Sequence, residues 1–290
     1  MVLGALEAGG TKMVCCIGEA DGTIHERATF DTGRPETTVP LLIRYFHDRK
    51  IDALGIGSFG PVDLHRDSPT YGYITRTPKE GWRDFPLSPL LRDALDVPTA
   101  IETDVNIAAI GEVTYGAAKG YSNIVYVTVG TGIGGGALID GKPLHGLVHP
   151  EMGHLILHPM PDDPDPEGVC PYHKGCLEGL ASGPAIENRW GLPAAQLPED
   201  HKAWDLEVEY LSQMCANMVY VLSPECIVLG GGVMHQLHLF PRIRQRTLDL
   251  LGGYIRNNRL LEAPESYLVP PGLGDDSGVV GALILAHALL

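Results

Sequence analysis

The chain has 290 residues, of which 44% are hydrophobic and 20% charged, and its formal net charge at neutral pH is −15. This apolar content can fill one large domain or two lobes, whereas the acidic surface repels nucleic acid and anionic membranes, so neither is expected as a partner. The sequence has no run of about 18 apolar residues and no basic leader before its first motif, which predicts a cytoplasmic protein.

The first half of the sequence predicts strands first and then alternating strands and helices. Two apolar runs flank the glycine-rich turn E-A-G-G-T-K and are typical of a β-hairpin. After them the pattern predicts, in chain order, a strand at 24–30, a helix at 37–49, a buried strand at 53–58, a strand at 98–102 and a helix at 104–116.

The second half opens on the same unit. A strand at 123–128, the turn G-T-G-I-G-G-G and a returning strand at 137–139 form a weak internal repeat of strand, glycine turn and strand. A long loop rich in Pro and Asp, residues 158–175, indicates a function or a bound metal. The rest predicts helices near 206–222 and 241–254, the strand C-I-V-L between them, and a glycine-rich turn entering an apolar last helix.

The turn at 7–12 has the composition of a phosphate-binding loop. Gly9 and Gly10 lack a Cβ, so their backbone N–H groups can approach an anion closely. Thr11 adds a hydroxyl and Lys12 a positive charge. The spacing differs from a Walker A loop, and an ordinary tight hairpin turn is an equally good interpretation of this motif alone.

Three further glycine-rich turns follow apolar runs, at 129–136, 230–232 and 272–278. Five glycines lie in the eight residues from 129 to 136, more than a two-residue turn needs. A nucleotide cradle, in contrast, requires several amides aimed inward. One such turn is a weak signal, but four of them at the ends of apolar runs predict a nucleotide held between two lobes.

Asp104 follows a predicted strand and begins a predicted helix. One interpretation is an N-cap aspartate, which is common at such positions. The other is a general base that accepts a proton from a sugar hydroxyl during phosphoryl transfer. Asn106 would orient either the base or the substrate.

The segment V-C-P-Y-H-K-G-C places Cys170, His173 and Cys176 at even three-residue spacing. These are zinc-ligand residue types, but they leave a four-ligand structural site one ligand short. The alternative is three unrelated polar residues in a loop. The other cysteines, Cys15, Cys16, Cys215 and Cys226, lie in apolar segments and are predicted to be buried thiols.

Together these motifs resemble the ROK family of sugar kinases and repressors, and within it the bacterial fructokinases. The family's D-x-G-G-T-K loop is present with Glu7 in place of the aspartate, and its N-D-x-N element is present as T-D-V-N, with Thr103 in place of the first asparagine. The second phosphate loop matches as T-V-G-T-G-I-G-G-G. The sugar-binding E-x-G-H element is the segment Glu151–His154.

The resemblance implies an α/β chain with the two-lobed actin-like ATPase (ribonuclease H-like) fold and the nucleotide between the lobes. A small lobe would comprise residues 1–107 and 276–290, and a large lobe residues 108–275. ATP with Mg²⁺ would contact Gly9, Gly10, Thr11, Lys12, Thr131, Gly132, Pro224, Val228, Leu229, Gly230, Gly231 and Gly232. The hexose would contact Gly60, Thr103, Asp104, Asn106, Glu151, His154 and Glu178.

The resemblance also supplies the missing metal ligand. In ROK proteins a C-x-C-G-x-x-G-C segment binds zinc together with a histidine from the preceding G-H. The implied zinc site here is therefore His154, Cys170, His173 and Cys176. Four protein ligands leave no open position, so this zinc is expected to be structural.

The implied reaction is ATP-dependent phosphorylation of a hexose, with Asp104 as the base and D-fructose converted to fructose 6-phosphate. Another hexose, such as mannose, glucose or an N-acetylhexosamine, is the first alternative, because Thr103 alters a sugar contact. A sugar-sensing regulatory protein without catalysis is the second. The first phosphate loop starts at Glu7, which leaves no room for the DNA-binding helices of the repressors. The resemblance further implies a homodimer formed through the larger lobe.

Overall fold

A computed structural model describes residues 1–290 as ten strands and nine α-helices. The strands are β1 (Leu3–Ala8), β2 (Lys12–Gly18), β3 (Ile24–Asp31), β4 (Ala53–Ser58), β5 (Thr99–Thr103), β6 (Ile124–Val129), β7 (Ile133–Ile139), β8 (Lys142–Pro143), β9 (Cys226–Gly230) and β10 (Leu268–Val269). The helices are α1 (Pro35–Asp48), α2 (Leu87–Leu95), α3 (Asp104–Tyr115), α4 (Leu177–Ala181), α5 (Gly183–Trp190), α6 (Ala203–Leu222), α7 (Leu239–Leu251), α8 (Asn258–Glu262) and α9 (Ser277–His287). None of these helices has both the length and the apolar content that crossing a bilayer requires.

The chain forms two compact units. Unit 1 consists of Met1–Lys119, Pro143–Pro150 and Asp275–Leu290, and unit 2 of Gly120–Lys142 and Glu151–Gly274. The units differ from the lobes implied by the sequence mainly at 108–119 and 143–150, which both lie in unit 1. The first difference arises because α3 packs along α9 as an undivided helix.

Unit 1 is built on a five-stranded mixed sheet in the order β3-β2-β1-β4-β5. Strands β1, β2 and β3 pair antiparallel, whereas β4 is parallel to both β1 and β5. Because side chains alternate along a strand, Leu6 and Ile56 pack on one face with Phe46 of α1, and Ala5 packs on the other face with Leu283 of α9. Helices thus cover both faces, as expected for an α/β sheet.

Unit 2 contains a second five-stranded sheet with the same relative order, β8-β7-β6-β9-β10. Its hairpin β6–β7 is antiparallel, and β9 is parallel to both β6 and β10. In each unit, therefore, a glycine-turn hairpin is extended on one side by two parallel strands. This shared topology agrees with the weak internal repeat in the sequence.

Most predicted elements match those observed to within a few residues, but the second glycine-rich turn is shorter than predicted. Strand β7 begins at Ile133, so Gly134–Gly136 lie within the strand and only Gly130–Gly132 form the turn. The strand glycines leave room for a neighbouring segment: a Cβ on Gly135 would lie 2.7 Å from the Met152 Cβ. The sequence pattern could not separate turn glycines from strand glycines.

Candidate active site and metal centre

The turn between β1 and β2 presents free backbone amides at the surface of unit 1. The Thr32 hydroxyl donates to the Gly9 carbonyl at 2.7 Å, and the Thr32 amide donates to the Thr11 carbonyl at 2.9 Å. These two bonds from Thr32 fix the backbone of the turn, while Gly10, Thr11 and Lys12 stay exposed. The amides of Gly10 and Thr11 donate to no other group of the chain. Free amides beside a lysine provide what a bound phosphate requires.

Glu7, the residue that replaces the family's aspartate, faces the start of α9. A Cβ on Gly278 would lie only 2.7 Å from the Glu7 carboxyl carbon, so the carboxylate packs directly against the first turn of that helix. Partial positive charge at a helix N-terminus favours a carboxylate there. Burial nevertheless raises the pKa of Glu7, against the opposing effects of Lys12 and Arg27.

The second glycine turn, in unit 2, is fixed by two helix starts. The Gly183 amide, at the beginning of α5, donates to the Gly130 carbonyl at 2.8 Å. The Ile133 amide donates to Oε2 of Glu178 in α4 at 2.9 Å. Thr131 lies exposed at the tip. Glu178, predicted to contact the sugar, therefore also shapes the predicted phosphate loop.

The third glycine turn follows β9 and packs against the end of β6. Gly231 has φ +90°, and a Cβ there would lie 2.5 Å from the Val129 amide nitrogen, so no side chain fits. Of the residues predicted to contact ATP here, Gly232 is exposed. Val228 and Leu229 are fully buried in β9, so their side chains belong to the core of unit 2. Pro224 is also buried, just before that strand.

Asp104 is the first residue of α3, and the residue that caps this helix is Thr103. The Thr103 hydroxyl accepts from the Asn106 amide at 3.2 Å, in N-cap geometry. The N-cap interpretation of Asp104 is therefore wrong by one residue. The Asp104 carboxylate lies in the first helical turn and accepts from the Val105 amide at 2.9 Å. Amides at a helix start stabilise the ionised carboxylate that a general base must be.

A buried carboxylate that the sequence analysis missed lies directly before this turn. Oε1 of Glu102 accepts from the Thr103 amide at 2.8 Å and from Asn106 Nδ2 at 2.9 Å. Its Oε2 lies 2.9 Å from Nε2 of His145. Asn106 is only 1% exposed, and its Oδ1 has no hydrogen-bond partner. Asn106 therefore stabilises the start of α3 through its bond to Glu102.

Gly60 lies in the loop that follows β4, and its peptide bond to Pro61 is cis. The next amide, that of Val62, donates to Nε2 of His149 at 3.0 Å. His149 is buried, and burial lowers its pKa. The hydrogen bond from the Val62 amide and the lowered pKa both fit a neutral His149 ring whose Nε2 accepts the bond. His149 is a second residue of this region that the sequence analysis left out.

The E-M-G-H segment forms a 3₁₀ turn that lies directly on β7. A Cβ on Gly153 would lie 1.8 Å from the Ile133 carbonyl oxygen, so the turn contacts the strand backbone to backbone. Although the Glu151 residue is exposed, burial of its carboxylate raises its pKa; His154 opposes this shift and Glu178 adds to it. The two carboxylates predicted to bind sugar thus influence each other electrostatically.

The four predicted zinc ligands come together in unit 2. Ligand atoms of His154, Cys170, His173 and Cys176 all lie within 4.8 Å of one another. Nδ1 of His154 is 4.0 Å from the Cys170 sulfur and 3.7 Å from the Cys176 sulfur, and Nδ1 of His173 is 3.7 Å from the Cys170 sulfur. A tetrahedral zinc with bonds of about 2.3 Å to sulfur and 2.0–2.1 Å to nitrogen places such atoms about 3.6 Å apart. The three nitrogen–sulfur distances are close to this value, and the ligand atoms that lie farthest apart would move closer together to bind zinc.

The long loop that carries two of these ligands is anchored by an ion pair that the sequence analysis also missed. Asp163 and Arg189 pair at 2.7 Å with side chains 0% and 2% exposed. The Tyr210 hydroxyl donates to the same carboxylate. Burial acts to raise the pKa of Asp163, but the bonds from Arg189 and Tyr210 outweigh it and lower the pKa. The D-P-D-P sequence gave no sign of which aspartate would be buried.

Two sheets of one topology, each opening on a glycine-rich hairpin, define an α/β protein of the actin-like ATPase class. A family model described as the ROK family matches residues 3–289, and the chain belongs to that family. A relative from Bacillus subtilis is 47% identical over 289 residues, covering 100% of this chain and 96% of that protein. A fructokinase from Pediococcus pentosaceus is 43% identical over 290 residues, covering 100% and 99%.

A solved structure gives the same result at the level of the fold. The ROK hexokinase from Thermus thermophilus superposes with a TM-score of 0.79 at 28% sequence identity, covering 99% of this chain and 98% of that one. The fold class and the family expected from the sequence are therefore confirmed.

Proposed function

We propose that the protein catalyses ATP-dependent phosphorylation of D-fructose to fructose 6-phosphate. One observation carries the proposal: Asp104 opens α3 in a chain that is 43% identical, over its full length, to a protein named fructokinase. A carboxylate at this position can take the proton of the attacking sugar hydroxyl.

Several groups are proposed to take part in this reaction. Asp104 would act as the base, and the amides of Gly10 and Thr11, with Lys12 as a point charge, would bind phosphate. The Thr131 turn would also bind phosphate, and Glu151, His154 and Glu178 would bind the sugar. Because phosphoryl transfer is mainly a matter of positioning and charge stabilisation, these groups suffice without a covalent intermediate. Mg²⁺ would neutralise charge on the phosphates.

Zinc is the metal that the Cys/His cluster fits best. His154 would use Nδ1 for the metal, which leaves Nε2 for a sugar hydroxyl and fixes which ring nitrogen carries the proton. The Cys176 sulfur also accepts from the Gly179 amide at 3.4 Å, a supporting bond typical of a thiolate ligand. The metal would tie the 158–175 loop to the sugar side of unit 2.

The first experiment is a measurement of sugar-dependent ADP release from ATP and Mg²⁺. The panel contains fructose, mannose, glucose, N-acetylmannosamine and N-acetylglucosamine. We expect kcat/KM for fructose to exceed that for every other sugar. Preference for another hexose would keep the kinase and reject fructose, and the absence of sugar-dependent release would reject catalysis in favour of a sugar-sensing role.

A homodimer is part of the same proposal and rests on the family resemblance. Light scattering on the purified protein would test it. The expected mass is twice that of one chain, which is 31.2 kDa, and a monomer at assay concentrations would reject it.

A further inference from the structure

The segment Pro143–Pro150 packs within unit 1 through two polar side chains of its own and one backbone carbonyl. His145 contacts Glu102, and His149 accepts from the Val62 amide. The Leu147 carbonyl lies 2.8 Å from Nε2 of His65. Three histidines make these contacts, and His145 is the one that pairs directly with Glu102, which bonds to the start of α3.

Glu102 is the link between that segment and the helix start. Its side chain is 7% exposed, and both of its oxygens are occupied. Oε1 accepts from the amide immediately before Asp104 and from the Asn106 side chain, and Oε2 faces His145. A buried carboxylate is costly unless donors and an opposite charge match it. The first turn of α3 and the His145 ring are thus fixed by one carboxylate.

We propose that Glu102 and His145 are positioning residues for phosphoryl transfer, which hold the first turn of α3 so that Asp104 meets the sugar hydroxyl correctly. This inference rests on the proposed function. Neither residue is assigned contact with sugar or nucleotide. Their effect is on geometry, and misplacement of a reacting group by about 1 Å can cost as much as 10²-fold in rate.

The charge on His145 gives the pair a pH dependence. The hydrogen bond to Glu102 raises the pKa of His145 above its ordinary 6.5, and burial opposes the shift. The other titratable groups near the pair are His149, whose buried Nε2 accepts an amide and whose pKa burial lowers, and Tyr71, whose pKa is raised by burial and by the charge of Glu102. His145 therefore directs its positive charge at Glu102. Because the pKa of His145 is raised, the attraction between its charged ring and Glu102 is complete below about pH 6.5. This attraction is lost as the pH rises through the raised pKa.

The test compares kcat and KM for fructose from pH 5.5 to 9 in the wild type, His145→Gln, His145→Lys and His65→Gln. His145→Gln keeps a hydrogen-bond donor but no charge, and His145→Lys keeps the charge at every pH. His65→Gln is the matched control, because it loosens the same segment without touching Glu102.

We expect His145→Gln to lower kcat about tenfold at pH 6.5 with little change in KM, and to abolish the loss of kcat that the wild type shows as His145 deprotonates. His145→Lys should restore kcat and hold it constant to higher pH. The proposal would be overturned if His145→Gln showed the wild-type dependence of kcat on pH. It would also be overturned if His65→Gln lowered kcat as much as His145→Gln does. An inactive wild type would instead reject the proposed function.

A second readout does not depend on turnover. The titration of His145 can be followed by NMR through its ring Cε1–H signal, in the wild type and in Glu102→Gln. We expect the His145 pKa to fall toward about 6.5 in Glu102→Gln. An unchanged pKa would show that the pair is not coupled and would overturn the proposal; if Glu102→Gln does not fold, the His145 variants decide.

Discussion

At the start of α3, the two roles considered for Asp104, helix N-cap and general base, belong to different residues. Thr103 satisfies the helix N-terminus with its hydroxyl, so Asp104 is not needed as the cap. Asn106, predicted to touch the sugar, is buried and donates to Glu102. The start of α3 thus combines one candidate base, Asp104, with two residues, Thr103 and Asn106, that fix the backbone around it.

Replacing Asp104 with Asn should remove turnover and leave the fold intact. The amide cannot accept the sugar proton, and loss of a general base typically costs about 10²–10⁴ in rate. Steady-state kinetics should show this fall in kcat, while fructose binding by calorimetry and the circular dichroism spectrum stay close to wild type. Asp93→Asn, an exposed aspartate on α2, is the control; full turnover in Asp104→Asn would rule out its role as the base.

Among the helices and loops, the 158–175 loop shows how a long irregular segment becomes ordered. The Cys/His cluster lies at one end of the loop and a buried ion pair at the other, and the Leu157 amide donates to the Gly175 carbonyl at 2.9 Å. Both anchors connect residues far apart in sequence; Asp163 and Arg189 are 26 positions apart.

Asp163→Asn should destabilise the protein strongly. It leaves the Arg189 charge buried without a partner, and breaking one side of a buried pair costs about 3–5 kcal/mol. Urea unfolding should show this loss, while the neighbouring exposed Asp162→Asn should stay within about 0.5 kcal/mol of wild type. Because the folded-state pKa of Asp163 is lowered, its contribution is complete above the unfolded value of about 3.9 and is lost as the pH falls further. The difference between the two proteins should therefore be constant from pH 5 to 8 and shrink in acid.

Gly153→Ala tests the contact between the E-M-G-H turn and β7. The added Cβ would lie 1.8 Å from the Ile133 carbonyl oxygen, so the backbone must move. We expect zinc content and fructose affinity to fall together, by at least about tenfold in affinity, as measured by metal analysis and calorimetry. Gly146→Ala, whose Cβ would meet nothing closer than 3.9 Å, should bind both normally. Normal zinc and sugar binding in Gly153→Ala would contradict the contact.

For the molecule as a whole, contiguity along the chain decided which features could be predicted from the sequence. The glycine turns, Asp104, E-M-G-H and the Cys/His spacing each lie in one contiguous segment, so pattern and resemblance were sufficient to find them. Glu102 with His145, and Asp163 with Arg189, are ordinary residues locally and become informative only when folding joins distant segments. For Val228 and Leu229 the pattern did not show that the side chains lie in the core, so their predicted contact with ATP would have to be made by the backbone.

Removing the metal should lower the thermal stability of the whole chain. A ligand that binds only the folded state stabilises it by mass action, and structural zinc can contribute most of the order of a small loop. Metal analysis should find about one zinc per chain, and a strong chelator should lower both Tm and fructose kinase activity, with recovery on adding zinc. Cys176→Ser should behave like the chelated protein, whereas Cys215→Ser, a buried thiol outside the cluster, should retain zinc. Full activity without bound metal would refute the structural role.

The close approach of Gly153 to Ile133 has a mechanical consequence. With no side chain between the two backbones, the strand that leaves the second glycine turn and the turn that carries Glu151 and His154 have no slack to slide past each other. Well-packed interiors transmit displacement rather than absorb it. A movement of the Thr131 turn would therefore move Glu151 and His154 with it, so the residues proposed to bind nucleotide and those proposed to bind sugar in unit 2 would shift together.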